Sequence, residues 1–271
     1  MAELDERLEL AVHIALQASA IPRRYFHDQE LVVGRKADAS PVTRADQETE
    51  VFLRDRIEAA CPGDSIVGEE FPSKDGTTGY KWYLDPIDGT QSFIRGVPLF
   101  GTLIGLQQGV DAVMGVIVFP ALGEIVYAAK GGGAWWATNA NAAKSIDQLD
   151  RRAARVSKTV ELAEAALCTG GMEIFPRSGM NGAFERLLSK TKISRGWSDC
   201  YGHYLVATGR VDAMVDPVMH VWDNAPLLPI VVEAGGRFTD LAGNAVIDGG
   251  SGLSTNGLLH DAILREWRGS K

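Results

Sequence analysis

Cysteine is scarce: Cys61, Cys168 and Cys200 are the three in 271 residues, and none stands in a Cys-x-x-Cys pair. An odd, widely spaced set of three excludes a disulfide framework and fits thiols in a reducing compartment. Long apolar runs are missing. The longest uncharged stretch, residues 96–110, has 15 residues including several glycines and two glutamines. A membrane span needs roughly 20 apolar residues. The start, MAELDERLEL, has neither the basic end nor the apolar core of a secretory signal. A cytoplasmic protein is expected, with no membrane partner. Excess basic charge is missing too. Lys plus Arg total 27 against 35 Asp plus Glu, a net charge of −8. No nucleic-acid partner is expected, because backbone binding needs a basic footprint.

What is present is ordinary in amount and uneven in placement. Apolar residues at 45% and charged residues at 23% exclude a disordered chain, a collagen and a coiled coil. Residues 1–140 hold 12 basic and 20 acidic side chains, and residues 141–271 hold 15 of each, so the first half carries all of the acidic excess. The length fits one large domain or two modest ones.

Apolar spacing predicts a helix over residues 3–20, ended or kinked by Pro22. Residues 34–42 read as a loop. A helix follows from the N-cap Thr43 to about Ala60, stopped by Cys61-Pro62-Gly63. Residues 65–68 and 81–84 read as strands. A meander of antiparallel strands continues at 100–107, 112–119, 124–129 and 134–138. The stretch 139–152 looks like a boundary. Beyond it, strands near 165–169 and 211–215 alternate with helices near 179–189, 200–208, 224–234 and 258–267. The expected organisation is an α+β subdomain at 1–140 and an α/β subdomain at 141–271, within one structural unit.

Three stretches carry chemistry: Gly68-Glu69-Glu70 at a strand end, Trp82 to Thr90 (WYLDPIDGT), and Val221-Trp222-Asp223-Asn224 opening a helix. In the second, a strand delivers Asp85, Pro86 fixes φ, and a turn can bring Asp88 back to the same side. The Ile87 carbonyl is free to point inward. Gly89 allows close approach, and Gly89 and Thr90 start a helical turn whose amides suit a phosphate. Carboxylates this close repel unless a cation lies between them. Oxygen-only ligands point to Mg²⁺ or Mn²⁺.

These stretches, read as GEE, WYLDPIDGTQSF and WDNAPLLPIVVEAGG, resemble the inositol monophosphatase family of Mg²⁺-dependent, lithium-sensitive phosphatases. The register holds from Lys36 to Gly236. The resemblance implies a layered α/β/α/β/α sandwich. It also implies a first metal site of Glu69, Asp85 and the Ile87 carbonyl, and a second of Asp85, Asp88 and Asp223. A third, weaker ion would lie on Glu69, for about two to three ions in all. Gly89 and Thr90 match the phosphate turn. Asp46 and Thr90 match the pair that orients the attacking water, Glu70 lies beside them, and Lys36 matches a nearby basic position. Family members are commonly dimers, so a homodimer is expected.

DGTQSFI, PLFGTLI and Trp197-Ser198-Asp199-Cys200-Tyr201-Gly202 are similar to the histidinol-phosphatase branch, which implies hydrolysis of L-histidinol phosphate in histidine biosynthesis. A cationic substrate wants carboxylates away from the metals. Asp199 and Asp216 are the candidates, although Asp199 also suits a helix N-cap. Trp197 could stack on imidazole, and Arg95 lies just past the phosphate turn. His203 and His220 read as structural. Inositol 1-phosphate, or a broad range of sugar and nucleotide phosphates, is the alternative substrate. A binding role in RNA or transcription complexes is the alternative of another class.

Overall fold

The computed structural model describes residues 2–38, 40–197 and 199–269. Helix α1 (Ala2–Ala18) buries Ala11, Val12, Ile14 and Ala15 at the expected spacing. Pro22 does not end the helical run. The break falls at Ser19, and α2 (Ala20–Tyr25) takes Pro22 into its first turn, where the missing amide is not needed. Residues 34–42 are not a plain loop: β1 (Val33–Arg35) pairs antiparallel with β2 (Pro41–Thr43). Helix α3 (Arg44–Ala60) starts at Thr43 as expected, the Thr43 hydroxyl accepting from the Ala45 amide.

The first sheet has seven strands in chain order: β3 (Ser65–Gly68), β4 (Tyr80–Asp88), β5 (Gly101–Gln108), β6 (Asp111–Phe119), β7 (Glu124–Ala129), β8 (Ala134–Ala137) and β9 (Arg152–Ala153). The short helix α4 (Thr90–Phe93) follows β4. Only β3–β4 is a parallel pair in this sheet. The sheet runs past residue 140 to Ala153. The second sheet holds β10 (Ala166–Thr169), β11 (Ile193–Arg195), β12 (Ala213–Asp216), β13 (Arg237–Thr239) and β14 (Gly252–Thr255), in the order β11-β10-β12-β14-β13. Helices α5 (Ile174–Arg177), α6 (Asn181–Lys190), α7 (Asp199–Ala207), α8 (Val221–Glu233) and α9 (His260–Arg268) belong to this half.

Alternation sorts the side chains into layers. Ile104, Val116, Val118, Ile125 and Tyr127 pack with Val12, Ala15, Leu53 and Ile57 of α1 and α3. Their neighbours Leu103, Ile117 and Val126 point the other way, onto Tyr204 of α7 and Leu227 and Ile230 of α8. Both faces are covered, which is why β6 reads as a continuous apolar run. Phe238 of β13 joins the α7–α8 cluster, and the far face of the second sheet packs on α6 and α9 through Leu187, Ile263 and Trp267. The result is the α/β/α/β/α sandwich.

Helix α8 crosses the first sheet at two glycines that face each other across a ladder, Gly105 and Gly115. A Cβ on Gly115 would lie 2.0 Å from the Pro226 carbonyl oxygen, and one on Gly105 would lie 2.8 Å from the Ala225 Cβ. The glycines let the helix sit against bare backbone. Gly115→Ala is therefore expected to cost about 3 kcal/mol, measured by denaturant unfolding, and to lower activity by displacing the helix that carries Asp223.

Candidate active site

Strand β4 carries Asp85 and Asp88 into the site, though not by the turn expected. The strand continues through Pro86 to Asp88, and its register against β5 jumps from Asp85 opposite Leu103 to Asp88 opposite Gly101. The extra residue is a bulge, where Pro86 gives up no ladder bond. The Pro86 carbonyl instead accepts from the Thr102 hydroxyl at 2.8 Å. Asp85 Oδ1 accepts from the Ile87 amide, and the Ile87 carbonyl accepts from Thr90 Oγ1, each at 3.0 Å. Gly89 then turns the chain at φ 83° into α4. A Cβ there would lie 2.9 Å from Asp199 Oδ2 and 3.0 Å from the Leu99 carbonyl, so glycine is required twice over.

Helices α8 and α3 each present an aspartate from the first turn. In α8, Asp223 Oδ2 accepts from the His220 amide at 2.7 Å. In α3, Asp46 Oδ2 accepts from the Thr43 amide at 2.8 Å and the Thr43 hydroxyl at 2.6 Å. In each, one carboxylate oxygen caps the helix. Asp46 Oδ1 is buried with no hydrogen-bond partner among the described residues.

Asp85, Asp88 and Asp223 each offer an oxygen, and the three lie within 4.8 Å of one another. Burial, and after it the charges of Glu69, Asp88 and Asp223, push the Asp85 carboxyl well above its ordinary value. Burial and the neighbouring carboxylates push Asp88 and Asp223 up to about 7. Burial raises Asp46 to about 6 and Glu70 to about 7. Glu69 leaves β3 beside β4, its amide donating to the Leu84 carbonyl at 3.1 Å. Lys36, just past β1, stands near the site as expected: its Nζ lies 2.5 Å from Glu69 Oε1 and 2.6 Å from Glu70 Oε1.

Such a cluster, all oxygen donors held together against their repulsion, fits a hard divalent cation such as Mg²⁺. Asp85, Asp88 and Asp223 are the residues brought together that could hold it. Cys200 is not a competing ligand. Its amide donates to Asp88 Oδ2 at 2.5 Å, and burial followed by the Asp88 charge holds the thiol well above its ordinary value.

The remaining candidates divide. Asp199 opens α7 at φ 57°, with its carboxylate against Gly89. Asp216, at the end of β12, is buried; after burial, the charge of Asp199 pushes its carboxyl up, with Asp88 and Asp223 adding to it. Trp197 ends the β11 connection, with its side chain 41% exposed and its carbonyl accepting from Cys168 Sγ at 3.2 Å. Ser198 lies outside the described residues. Arg95 is not brought to the carboxylates. Its guanidinium folds back along α4 to the carbonyl and side chain of Gln91, four residues earlier. His203 is a buried structural group, its Nδ1 2.6 Å from the Ser254 hydroxyl and its ring held neutral by burial at about 3. His220 stacks on Trp222. Sequence reasoning missed Glu50, fully buried beside Glu70; its spacing of four from Asp46 on one helix face is the signal that could have found it.

A sequence profile of the inositol monophosphatase family matches residues 3–270. A histidinol-phosphatase of Chlorobaculum parvum is 39% identical over 246 residues, covering 91% of this chain and 90% of its own. A histidinol-phosphatase of Mycobacterium tuberculosis is 39% identical over 258 residues, covering 95% of this chain and 96% of its own. The solved structure of the extragenic suppressor protein SuhB from Bartonella henselae superposes with a TM-score of 0.86 at 25% identity, over 97% of this chain and 98% of that one. The profile, the two relatives and the layered fold agree over nearly the full length: the chain belongs to the inositol monophosphatase family.

Proposed function

We propose that this protein is a Mg²⁺-dependent phosphatase that hydrolyses L-histidinol phosphate to L-histidinol and phosphate. The convergence of Asp85, Asp88 and Asp223 within 4.8 Å is the observation that carries the chemistry. Bound there, Mg²⁺ would supply Lewis acidity toward the phosphoryl oxygens and a lowered pKa for the attacking water. The chain's own groups do the rest. Thr90 Oγ1 donates to the Ile87 carbonyl, which leaves its lone pairs to accept from a water. Asp46 Oδ1, buried and unspent, is the acceptor for that water's proton. The amides at Gly89 and Thr90 face the phosphate. Glu70, tied to Lys36, completes the acidic wall.

The substrate follows from charge. Asp199 and Asp216 add carboxylates beyond the metal-binding set, and histidinol offers an ammonium group to meet them, whereas inositol is neutral. Two relatives named histidinol-phosphatase support the same choice. Asp199→Ala is expected to cost about 1–3 kcal/mol in kcat/KM for histidinol phosphate and little for inositol 1-phosphate. A wild-type enzyme that prefers inositol 1-phosphate would sink the substrate assignment and leave the phosphatase standing.

A further inference from the structure

Glu50 lies on α3 one turn after Asp46, and its side chain is fully buried. A buried carboxylate needs partners. Its partners here are the backbone of the Gly68-Glu69-Glu70-Phe71 turn. Oε2 accepts from the Glu70 amide at 2.7 Å, and Oε1 accepts from the Phe71 amide at 3.2 Å. Arg54, a further turn along α3, holds the arrangement from the other side. Its Nε donates to Glu50 Oε1 at 2.7 Å, and its Nη2 donates to the Phe71 carbonyl at 3.0 Å.

This contact stands where the sheet runs out. Strand β3 ends at Gly68, and the Glu69 amide makes the last bond toward β4. The next two amides would have no ladder partner, and Glu50 takes both. Gly68 makes the approach feasible: a Cβ there would lie 2.0 Å from Glu50 Oε1.

We propose that Glu50, braced by Arg54, is a positioning residue that fixes Glu69 and Glu70 relative to Asp46. It touches no reacting atom. It acts through the backbone of residues 70 and 71, and so sets where the Glu69 carboxylate stands beside Asp85. Because α3 carries both Asp46 and Glu50, one rigid helix sets the offset between the water-orienting acid and the glutamates. The proposal rests on the metal-dependent reading above.

The test uses Glu50→Gln and Arg54→Lys in the full chain. A glutamine can accept one of the two amide hydrogens but turns its own NH₂ toward the other. A lysine keeps a cation beside Glu50 but cannot reach the carboxylate and the Phe71 carbonyl together. Mg²⁺ binding is measured by titration calorimetry without substrate, beside kcat, KM and the melting temperature in EDTA. The expected result is an Mg²⁺ dissociation constant raised about 10–100-fold, with KM for the ester unchanged at saturating Mg²⁺. A lowered melting temperature with unchanged Mg²⁺ affinity would mean a merely structural role and overturn the proposal. If Glu50→Gln does not fold, Arg54→Lys decides: unchanged affinity there overturns it equally. A wild-type protein that binds no Mg²⁺ would overturn the metal-dependent reading and this proposal together, whereas variants that match a Mg²⁺-binding wild type overturn this proposal alone.

Discussion

Asp88→Asn is expected to lower kcat/KM by at least about 10³-fold, the loss of roughly 4 kcal/mol of transition-state stabilisation. At the same time it should raise the melting temperature in EDTA. Both effects have one cause. Asp88 is held beside Asp85 and Asp223 in a buried cluster where its charge opposes the ionisation of Asp85 and the charge of Asp223 opposes its own. Asparagine keeps an oxygen to accept the Cys200 amide that Asp88 Oδ2 now accepts. It removes the charge, and with it the repulsion that burdens the metal-free fold. It also removes the charge that makes the cluster a cation site. A gain in apo stability with a loss of activity marks a residue retained for function against its folding cost. Phosphate release and thermal melting of the same preparation check it. A variant that is inactive and destabilised would instead place Asp88 in the folding core.

The second large effect is a pH dependence that Mg²⁺ reverses. In the unfolded chain the aspartates lose their protons near pH 4. In the fold, Asp88 and Asp223 hold theirs up to about 7, and Asp85 is pushed up as well. Between those values the folded state binds more protons than the unfolded one. Stability therefore falls as pH rises from about 4 to about 7, and stays low above that. Mg²⁺ binds the ionised cluster, so its stabilising effect should be small at pH 5 and large at pH 8. At 100 times its dissociation constant a ligand contributes ~2.7 kcal/mol, roughly 5–10 °C in melting temperature for a chain of this size. Melting curves in EDTA and in Mg²⁺ across pH 5–8 read this directly. An Mg²⁺-dependent gain that is equal at both ends, or larger at pH 5, would contradict the assignment of the cluster as the binding site.

Much of this architecture was legible in the sequence, because it depends on local pattern. The limits of β3 and β7 agree residue for residue with the spacing of their apolar positions, and α3 begins at the cap its Thr43 announces. What was not legible depends on neighbours distant in the chain. Pro86 looked like a turn because a proline costs a central strand a bond; the β5 partner absorbs it as a bulge. Strands β11, β13 and β14 escaped notice because three- and four-residue segments are set by their pairing more than by their own pattern. The hairpin β1–β2 was hidden in the same way, although the placing of Lys36 near the site agrees with its contacts to Glu69 and Glu70.

The site divides along the same line. Asp85, Asp88 and Asp223 stood out as motif residues, and the fold brings them together. Arg95 stood next to a motif, and proximity in sequence did not carry it to the carboxylates, since Gln91 offered a nearer partner. The charge imbalance follows from the same cluster. Residues 64–88 hold six acidic side chains against Lys74 and Lys81, and two of the six, Asp85 and Asp88, converge with Asp223 where bound cations would invert the local sign toward an anionic ester.

The most direct measurement is phosphate release from L-histidinol phosphate by the purified protein, with Mg²⁺ and with EDTA. Steady turnover is expected in Mg²⁺, stopped by EDTA and restored by fresh Mg²⁺. Turnover that persists undiminished in EDTA, or no turnover of this ester under any Mg²⁺ concentration, would contradict the proposed function.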